Sequence, residues 1–325
     1  MSDSTGTLEL GKWMRGVAKE PTTIFALATV VAAVTYFFGI YPMFGVENAY
    51  SALHWLARTW NEENDLQHGY FIPFIMIGLI IWDRKNLAKA PVEKSRLGLW
   101  LILGAVFLYL LSKRTVQARV AVGAFPILLT GISAYLWGWQ VTRRLVFPYF
   151  LIYFAVKVPG MLQATNSLQI FATSTAYHVS SLLGADIVIA GNNIKSATGA
   201  WPGFDIAEGC SGIRSLVALT LVAAVYGYVT TRSAWKIAVL IVASIPLAIL
   251  ANGARVTTII LIAEYFSPEF AAHTYHNWSG FLFFPIGLFF IILLSMILNH
   301  GFRVFKRAKK TVTYFDGGEE PKAST

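Results

Sequence analysis

Long apolar segments recur along most of the chain, and they limit what it can fold into. Of the 325 residues, 56% are hydrophobic and only 13% are charged, which is more apolar than a soluble domain requires. A helix needs roughly 20 apolar residues to cross a bilayer. The pattern predicts an all-α integral membrane protein, a polytopic helical bundle of about eight transmembrane helices. The predicted spans are residues 23–43, 69–82, 97–112, 120–139, 145–162, 210–229, 237–263 and 278–299.

Basic residues predict how this bundle is oriented. Lys12, Arg15 and Lys19 precede the first apolar run, which is too long for a signal-peptide core and is expected to remain as a signal anchor. A basic cluster at 303–310 follows the last run. Because Lys and Arg favour the cytoplasmic side, both termini are expected to be cytoplasmic. The chain then divides into a cytoplasmic segment 1–22, a transmembrane domain 23–300, and a basic, disordered cytoplasmic tail 301–325.

The longest polar interruption, at about 160–209, is predicted to be a partly structured outer loop. Its first part, SLQIFATSTAYHVSSLLG, is amphipathic and predicts either an interfacial or a partly re-entrant helix. Its second part, ADIVIAGNNIKSATGAWPGFDI, is rich in Gly and Asn and indicates short strands and turns.

The net charge of +9 points to a lipid bilayer as the partner rather than to nucleic acid. Basic residues at cytoplasmic helix ends suit both orientation and anionic headgroups. The chain has no basic patch with interleaved aromatic residues of the kind that binds nucleic acid. Its single cysteine excludes an internal disulfide. No cofactor and no metal are predicted.

That cysteine, Cys210 in FDIAEGCSGIRSL, lies at the outer end of the sixth predicted span. If the helix begins near 208–211, unsatisfied N–H groups and the positive helix end favour thiolate, the nucleophilic form. Arg214, at i+4, would share its helix face and add a cation. The alternative is that Cys210 is a small buried hydrophobic residue. Glu208 either pairs with an arginine or repels an acidic substrate.

Arg255, in the seventh predicted span, is the second candidate. A charge inside the bilayer region costs a few kcal/mol unless it faces a partner or a wet cavity. Asn252, at i−3, would share its face and orient it. The alternatives are a structural pair of Arg255 with Glu264 or Glu208, or extension of the side chain to the membrane surface.

His276 begins the eighth predicted span, and His273 lies one turn earlier. Imidazole can take a proton from a thiol near neutral pH and return it to a leaving amine. Cys210, Arg255 and His276 all map to the outer side of successive spans. Such a trio would provide a nucleophile, an oxyanion stabiliser and a proton carrier.

At these residues the sequence resembles the exosortase/archaeosortase family of integral-membrane cysteine transpeptidases. The resemblance rests on AEGCSGIRSL around Cys210, on NGAR at Asn252 and Arg255, and on the His-x-x-x-Gly of HNWSG at His276 and Gly280. It extends to WNEENDLQHGYFIP, which contains His68, and to LVFPYFLIYFAVKVPGML. It therefore covers most of residues 55–300.

The resemblance implies an enzyme that sorts C-terminally signalled, membrane-anchored proteins whose signal is a short motif such as Pro-Glu-Pro, a membrane helix and a basic cluster. Cys210 would attack the scissile carbonyl, His276 would act as acid and base, and Arg255 would stabilise the oxyanion or position the thiolate. An acceptor nucleophile of unknown identity would resolve the thioester. His273 competes with His276 for the base role, and His68 would bind substrate or be structural. The expected location is the bacterial inner membrane, with the site facing outward.

Three other interpretations remain open at the level of sequence. A transporter or channel could use arginines and histidines to line a polar pathway. A zinc site could form from His68, His273, His276 and Cys210, although the spacing typical of zinc motifs is missing. The chain could also be a non-catalytic assembly protein.

Overall fold

The computed structural model describes residues 8–17, 19–44, 49–61, 63–157, 160–191, 193–201, 203–205, 213–231 and 233–301. The chain divides into two compact units, residues 1–164 and 165–325. The predicted boundaries near residues 22 and 300 are not tested by this division and remain predictions.

The first unit is built from helices, with one short two-stranded sheet. Strands β1 (Leu8–Glu9) and β2 (Pro91–Val92) pair antiparallel, with Leu8 opposite Val92. A π-helix at Thr35–Ile40 and 3₁₀ helices at Gln67–Phe71 and Leu151–Ala155 complete the unit. Its α-helices are α1 (Leu10–Val17), α2 (Pro21–Val34), α3 (Ala52–Arg58), α4 (Ile72–Trp82), α5 (Arg84–Ala88), α6 (Leu97–Thr115), α7 (Ala118–Trp137) and α8 (Trp139–Phe150).

The second unit combines three long apolar helices with a small sheet. Helix α9 (Met161–Leu182) leads into it. Strands β3 (Ile187–Ala190), β4 (Asn193–Ser196) and β5 (Phe204–Asp205) form an antiparallel sheet in that order. The long helices are α10 (Ile213–Thr230), α11 (Ala234–Tyr265) and α12 (His276–His300), the last preceded by a π-helix at Phe270–Tyr275. The predicted loop at 160–209 thus contains both a helix and short strands, as its two halves indicated.

Among the described residues, six helices are long and apolar enough to cross a membrane, rather than the predicted eight. The second predicted span corresponds to Gln67–Trp82, which is shorter than the roughly 20 residues a crossing needs. The six long apolar helices confirm the all-α membrane character. The six helices are Pro21–Ile40, Leu97–Thr115, Ala118–Trp137, Ile213–Thr230, Ala234–Tyr265 and Phe270–His300.

The fifth predicted span, 145–162, is wrong as a single helix. Helix α8 ends at Phe150, a 3₁₀ turn follows, and Val156 is already extended (φ −111°, ψ 130°). Pro159 cannot donate a helical N–H, and Gly160 has a φ of +84°, outside the right-handed helix. Because VKVPGML is largely apolar, the hydropathy pattern did not reveal this break.

Trp60 and His68, in the first predicted outer loop, bind carbonyls at the end of the 3₁₀ helix Leu151–Ala155. The Trp60 indole Nε1–H donates to the Ala155 carbonyl at 3.1 Å, and His68 Nε2–H donates to the Phe154 carbonyl at 2.8 Å. These bonds satisfy carbonyls that a helix end leaves without partners. Gly69 permits the arrangement, because a Cβ there would overlap the Trp60 ring.

Helices α6 and α7 pack closely where glycine residues leave room for backbone contact. A Cβ on Gly98 would overlap the Tyr135 backbone nitrogen and lie 2.6 Å from the Gly131 carbonyl oxygen. Small residues let membrane helices pack closely where no hydrophobic effect drives association. Gly104 lies on the same helix but outside this contact, since a Cβ added there would meet no atom within 4 Å.

We expect Gly98→Ala to lower the free energy of unfolding by about 1–3 kcal/mol, because backbone atoms that cannot move aside would meet the new methyl group. Gly104→Ala, the control on the same helix, should be neutral or stabilising by about 0.5 kcal/mol. Denaturant unfolding of the protein in detergent measures both. Equal losses in the two variants would contradict close packing at Gly98.

We expect His68→Ala to lower the free energy of unfolding by about 1–3 kcal/mol, because the Phe154 carbonyl loses its donor. His54 provides the control: it is exposed and contacts Tyr50 edge-on at 5.0 Å between ring centroids. Thermal unfolding of both variants separates the loss of the His68 hydrogen bond from the general effect of removing an imidazole ring. A loss for His54→Ala as large as that for His68→Ala would rule out a specific contribution from the hydrogen bond.

Candidate functional site

Arg255 is a cation placed well inside the longest apolar helix. Helix α11 continues for ten residues beyond it to Tyr265, which corresponds to about 15 Å along the axis. The side chain is half-buried. A cation at this depth costs about 3 kcal/mol or more unless protein groups bind it. The surrounding contacts therefore matter more than they would for a surface arginine.

Two groups on the neighbouring helix α12 bind the guanidinium. Arg255 Nε donates to Ser279 Oγ at 2.7 Å, and Nη2 donates to the His276 carbonyl at 3.1 Å. The Ser279 hydroxyl in turn donates to the same carbonyl at 2.7 Å. Ser279 is only 1% exposed. The three groups form a closed triangle of hydrogen bonds, which fixes two of the guanidinium nitrogens relative to the start of α12.

A second polar chain joins α11 to the segment before α12. Tyr275 ends the π-helix, and its hydroxyl donates to Thr258 Oγ1 at 2.9 Å. Thr258 then donates to the Arg255 carbonyl at 2.8 Å. π-Helical turns inside longer helices are rare and are frequent at functional sites. Here the turn shifts the helical register so that both Tyr275 and His276 meet α11 next to Arg255.

Arg255 lies on a narrow cleft between α10, α11 and α12 with a cavity volume of about 20 Å³. Its polar lining comes from Arg255, Asn252 and Ser215. The apolar lining includes Leu219 on α10 and Phe284 on α12. Asn252 is buried and lies on the same side of α11 as Arg255, as the i−3 spacing predicted. The cleft has room for about one water molecule and presents Arg255 and Asn252 beside an apolar wall.

Two of the predicted site residues, Cys210 and Glu208, lie outside the described residues. Helix α10 is described from Ile213 onward, and Arg214 is exposed in its first turn. The predicted helix start and the shared face of Cys210 and Arg214 therefore remain predictions. The structure brings together Arg255, Asn252 and His276, while its contact between Arg255 and His276 uses the histidine carbonyl rather than the ring.

The two candidate histidines differ in their surroundings. His276 is half-buried and its side chain hydrogen-bonds Asn277. His273 is exposed on the π-helix. The pKa of Glu269 is lowered by a hydrogen bond from the Glu269 backbone amide. A hydrogen bond from the Ser267 hydroxyl and the positive charge of His273 lower this pKa further. His273 thus faces a solvated carboxylate, whereas His276 adjoins Arg255.

The structural alternative for Arg255, a pair with Glu264, is not what the structure contains. Glu264 accepts a hydrogen bond from the buried Trp201 indole at 2.8 Å. Within the described ranges, no carboxylate lies within the 4.0 Å of Arg255 that an ion pair requires. Trp201 packs with Ile187, Ile194 and Ile260 in one apolar cluster. Through this hydrogen bond Glu264 joins the segment after β4, which contains Trp201, to α11. Arg255 is bound instead by groups of α12.

His68 belongs to the other compact unit, where it binds the Phe154 carbonyl as described above. Two roles were expected for His68, substrate binding or a structural role, and this contact favours the structural one. As for metals, the described part of the chain holds no group of three or more His, Cys, Asp or Glu side chains that could bind one.

Sequence reasoning missed Ser279, which among the described residues makes the shortest hydrogen bond to the guanidinium. A signal was present: Ser279 lies at i+3 from His276 in HNWSG, on one face of a helix. A serine in an apolar helix can bond its own backbone, so spacing alone does not distinguish a partner of arginine from a self-satisfied hydroxyl.

A family comparison covers this part of the chain. The family described as Transmembrane exosortase (Exosortase_EpsH) matches residues 60–293, well over half of the chain. The match includes Arg255, Ser279 and His276, and it also spans Cys210. No curated protein and no solved structure matches the chain significantly. The predicted resemblance is confirmed: this multi-pass membrane protein belongs to the transmembrane exosortase family.

Proposed function

We propose that this protein is a membrane-embedded cysteine transpeptidase that cleaves C-terminal sorting signals of the PEP-CTERM type from exported proteins. Family membership supports a membrane transpeptidase-type function in general. The observation that carries the finer proposal is Arg255, a cation held beside a cleft by Ser279 and the His276 carbonyl. The proposed location is the bacterial inner membrane, with the site facing outward and both termini in the cytoplasm.

In the proposed reaction, the Cys210 thiolate attacks the scissile carbonyl carbon and the carbonyl electron pair moves onto oxygen. Arg255 donates hydrogen bonds to that oxyanion. His276 accepts the thiol proton and gives it to the leaving amine as the C–N bond breaks. An acceptor amine, hydroxyl or water then attacks the thioester carbon and gives its proton to His276, and the C–S bond breaks to release the thiolate.

The arrangement around Arg255 supports its assignment to the oxyanion. Two of its N–H groups have acceptors on α12, and the other donors of the guanidinium have none among the described residues. Preorganised donors stabilise a developing charge without reorganising during the reaction. Asn252 would orient the arginine, and Arg214 would tune the thiol or bind acidic substrate groups. Glu208 would pair with one of these arginines or repel an acidic substrate.

Bilayer depth supports the substrate class. A substrate anchored by its own C-terminal helix presents its cleavage site at a fixed depth beside the enzyme. Helix α11 holds Arg255 about 15 Å from its end, and α12 begins at His276. A membrane-anchored, C-terminally signalled protein can reach such groups, whereas a soluble peptide would first have to partition into the membrane.

We expect Cys210→Ser to reduce processing of a co-expressed, C-terminally signalled protein by at least about 1,000-fold, because the nucleophile is weakened and its leaving-group chemistry is lost. Gel mobility of the substrate protein measures this. Hydroxylamine, which cleaves thioesters, should release the trapped substrate from the wild-type enzyme only. Full processing by the Cys210→Ser variant would refute the nucleophile assignment.

The two histidines provide a matched pair for the proton carrier. His276→Ala should lose processing, while His273→Ala should retain most of it, since His273 is exposed and faces Glu269. The reverse result would assign the base to His273. If the protein instead transports an anion, Cys210→Ala should leave that transport intact and no processing should be detected in any variant.

We expect Ser279→Ala to slow processing about 10-fold or more, because a hydrogen bond to a charged group contributes about 1.5–3 kcal/mol and holds Arg255 in place. Ser295→Ala is the matched control: Ser295 is also 1% exposed on α12, but it bonds Thr230 at 3.3 Å. Single-turnover rates of substrate cleavage measure the effect.

A purely structural role for Ser279 predicts a different pattern. It would lower thermal stability and leave the single-turnover rate of the folded fraction unchanged. Arg255→Lys should lose more activity than Ser279→Ala, because lysine cannot present two donors in a fixed plane.

A further inference from the structure

A basic pocket lies at one end of the first unit, apart from the residues assigned to catalysis. It has a cavity volume of about 270 Å³ and lies between α5 and the start of α8. Three cations line it, Lys89, Arg143 and Arg144, together with the amides of Asn86 and Gln140. Cations and amide donors in one concavity are the chemistry that binds a phosphate or another oxyanion.

A buried carboxylate holds two of the residues that line this pocket. Asp83 is 1% exposed, and its Oδ2 lies 3.3 Å from Arg144 Nη1. Asn86 Nδ2 donates to Asp83 Oδ1 at 2.6 Å. Asp83 therefore neutralises one of the three cations and immobilises both Arg144 and Asn86. Lys89 and Arg143, both exposed, carry the remaining positive charge.

Helix α8 adds to the positive potential of the pocket. The helix begins at Trp139 and has 12 residues, and Gln140 and Arg143 lie in its first two turns. Its N-terminal N–H groups and the positive end of its dipole lie at the same end as these side chains. The pocket thus combines a helix N-terminus with two exposed cations that form no ion pair with any carboxylate in the described part of the chain.

Exposed tryptophans mark this end of the unit as a membrane interface. Trp82 and Trp139 immediately precede Asp83 and Gln140, and they are 47% and 48% exposed. Tryptophan concentrates at the level of the lipid headgroups. Leu97, at the start of α6, is exposed as well. Lipid around these apolar side chains would place the pocket at the depth of the headgroups rather than in open water.

The amphipathic helix α1 packs against the same end. Leu10 is buried with Leu87 and Val141, and the Trp13 ring meets the Trp137 ring edge-on at 6.1 Å. Lys12 is exposed on this helix. A short helix with one apolar and one basic side is typical of a segment that lies in the plane of the membrane surface. Lys12 pairs with Glu9 at 3.9 Å, and Arg15 on the same helix is also exposed.

We propose that this pocket binds the phosphate of an anionic phospholipid headgroup, held by Lys89, Arg143, Arg144 and the two amides. The shared chemistry is a phosphate oxyanion, for which a membrane lipid and a soluble phosphate are both sources. The exposed tryptophans and Leu97 favour the lipid, because its acyl chains would cover them. The site is independent of the proposed peptide chemistry.

The test measures lipid retained by the purified full-length protein. The protein in mixed micelles is offered phosphatidylglycerol or phosphatidylcholine, and native mass spectrometry counts the bound lipid. We expect one tightly bound phosphatidylglycerol in preference to phosphatidylcholine. Each cation near a lipid surface contributes a factor of about 5, so Lys89→Gln/Arg143→Gln should weaken retention about 30-fold. Arg144 is left in place because removing it would strand the buried Asp83.

The control variant removes the same charge just outside the pocket. Arg84→Gln/Lys85→Gln changes two exposed residues of α5 that do not line it, and it should retain phosphatidylglycerol like the wild type. Equal weakening in both double variants would overturn the proposal, since it would indicate general surface charge. Equal retention of phosphatidylcholine would also overturn it. Displacement of the lipid by an equal concentration of inorganic phosphate would overturn the lipid source.

Discussion

Arg255 is the constraint on which the second unit depends, because a guanidinium inside an apolar helix must find its hydrogen-bond acceptors in the protein. Water can supply acceptors to a surface arginine, but the hydrocarbon region cannot. Ser279 and the His276 carbonyl meet this need from α12. The contact also fixes where α12 begins relative to α11. The same cation that is costly to bury therefore orders the groups proposed to act in catalysis.

The π-helix before α12 follows from the same requirement. An uninterrupted α-helix would present different side chains to α11, whereas the wider turn at Phe270–Tyr275 brings Tyr275 to Thr258 and places His276 beside Arg255. A wider turn has poorer packing within itself, and the hydrogen bonds to α11 offset that cost. Local irregularity and the position of a candidate catalytic residue thus have one physical origin.

Polar groups in the first unit obey the same rule with different partners. Asp83 is buried and bound by Arg144 and Asn86. The carbonyls at the end of the 3₁₀ turn accept hydrogen bonds from Trp60 and His68. In each case a group that would be unsatisfied in lipid meets a donor from another element. The Asp83 contact additionally arranges cations at a surface bordered by exposed tryptophans, which is why we assign a lipid phosphate there.

The sequence by itself determined the membrane class, most of the long helices and the family, because apolar length and the spacing of AEGCSGIRSL, NGAR and HNWSG are properties of consecutive residues. It also singled out Arg255 and His276. Apolar content could not distinguish a full crossing from the short helix Gln67–Trp82, nor reveal that Gly160 interrupts the fifth predicted span. Only the tertiary structure decided that Ser279 rather than Glu264 binds Arg255, and that His68 binds Phe154. Those choices depend on which helix faces which, and helix packing is set by long-range contacts such as Gly98 against Gly131 that no local pattern records.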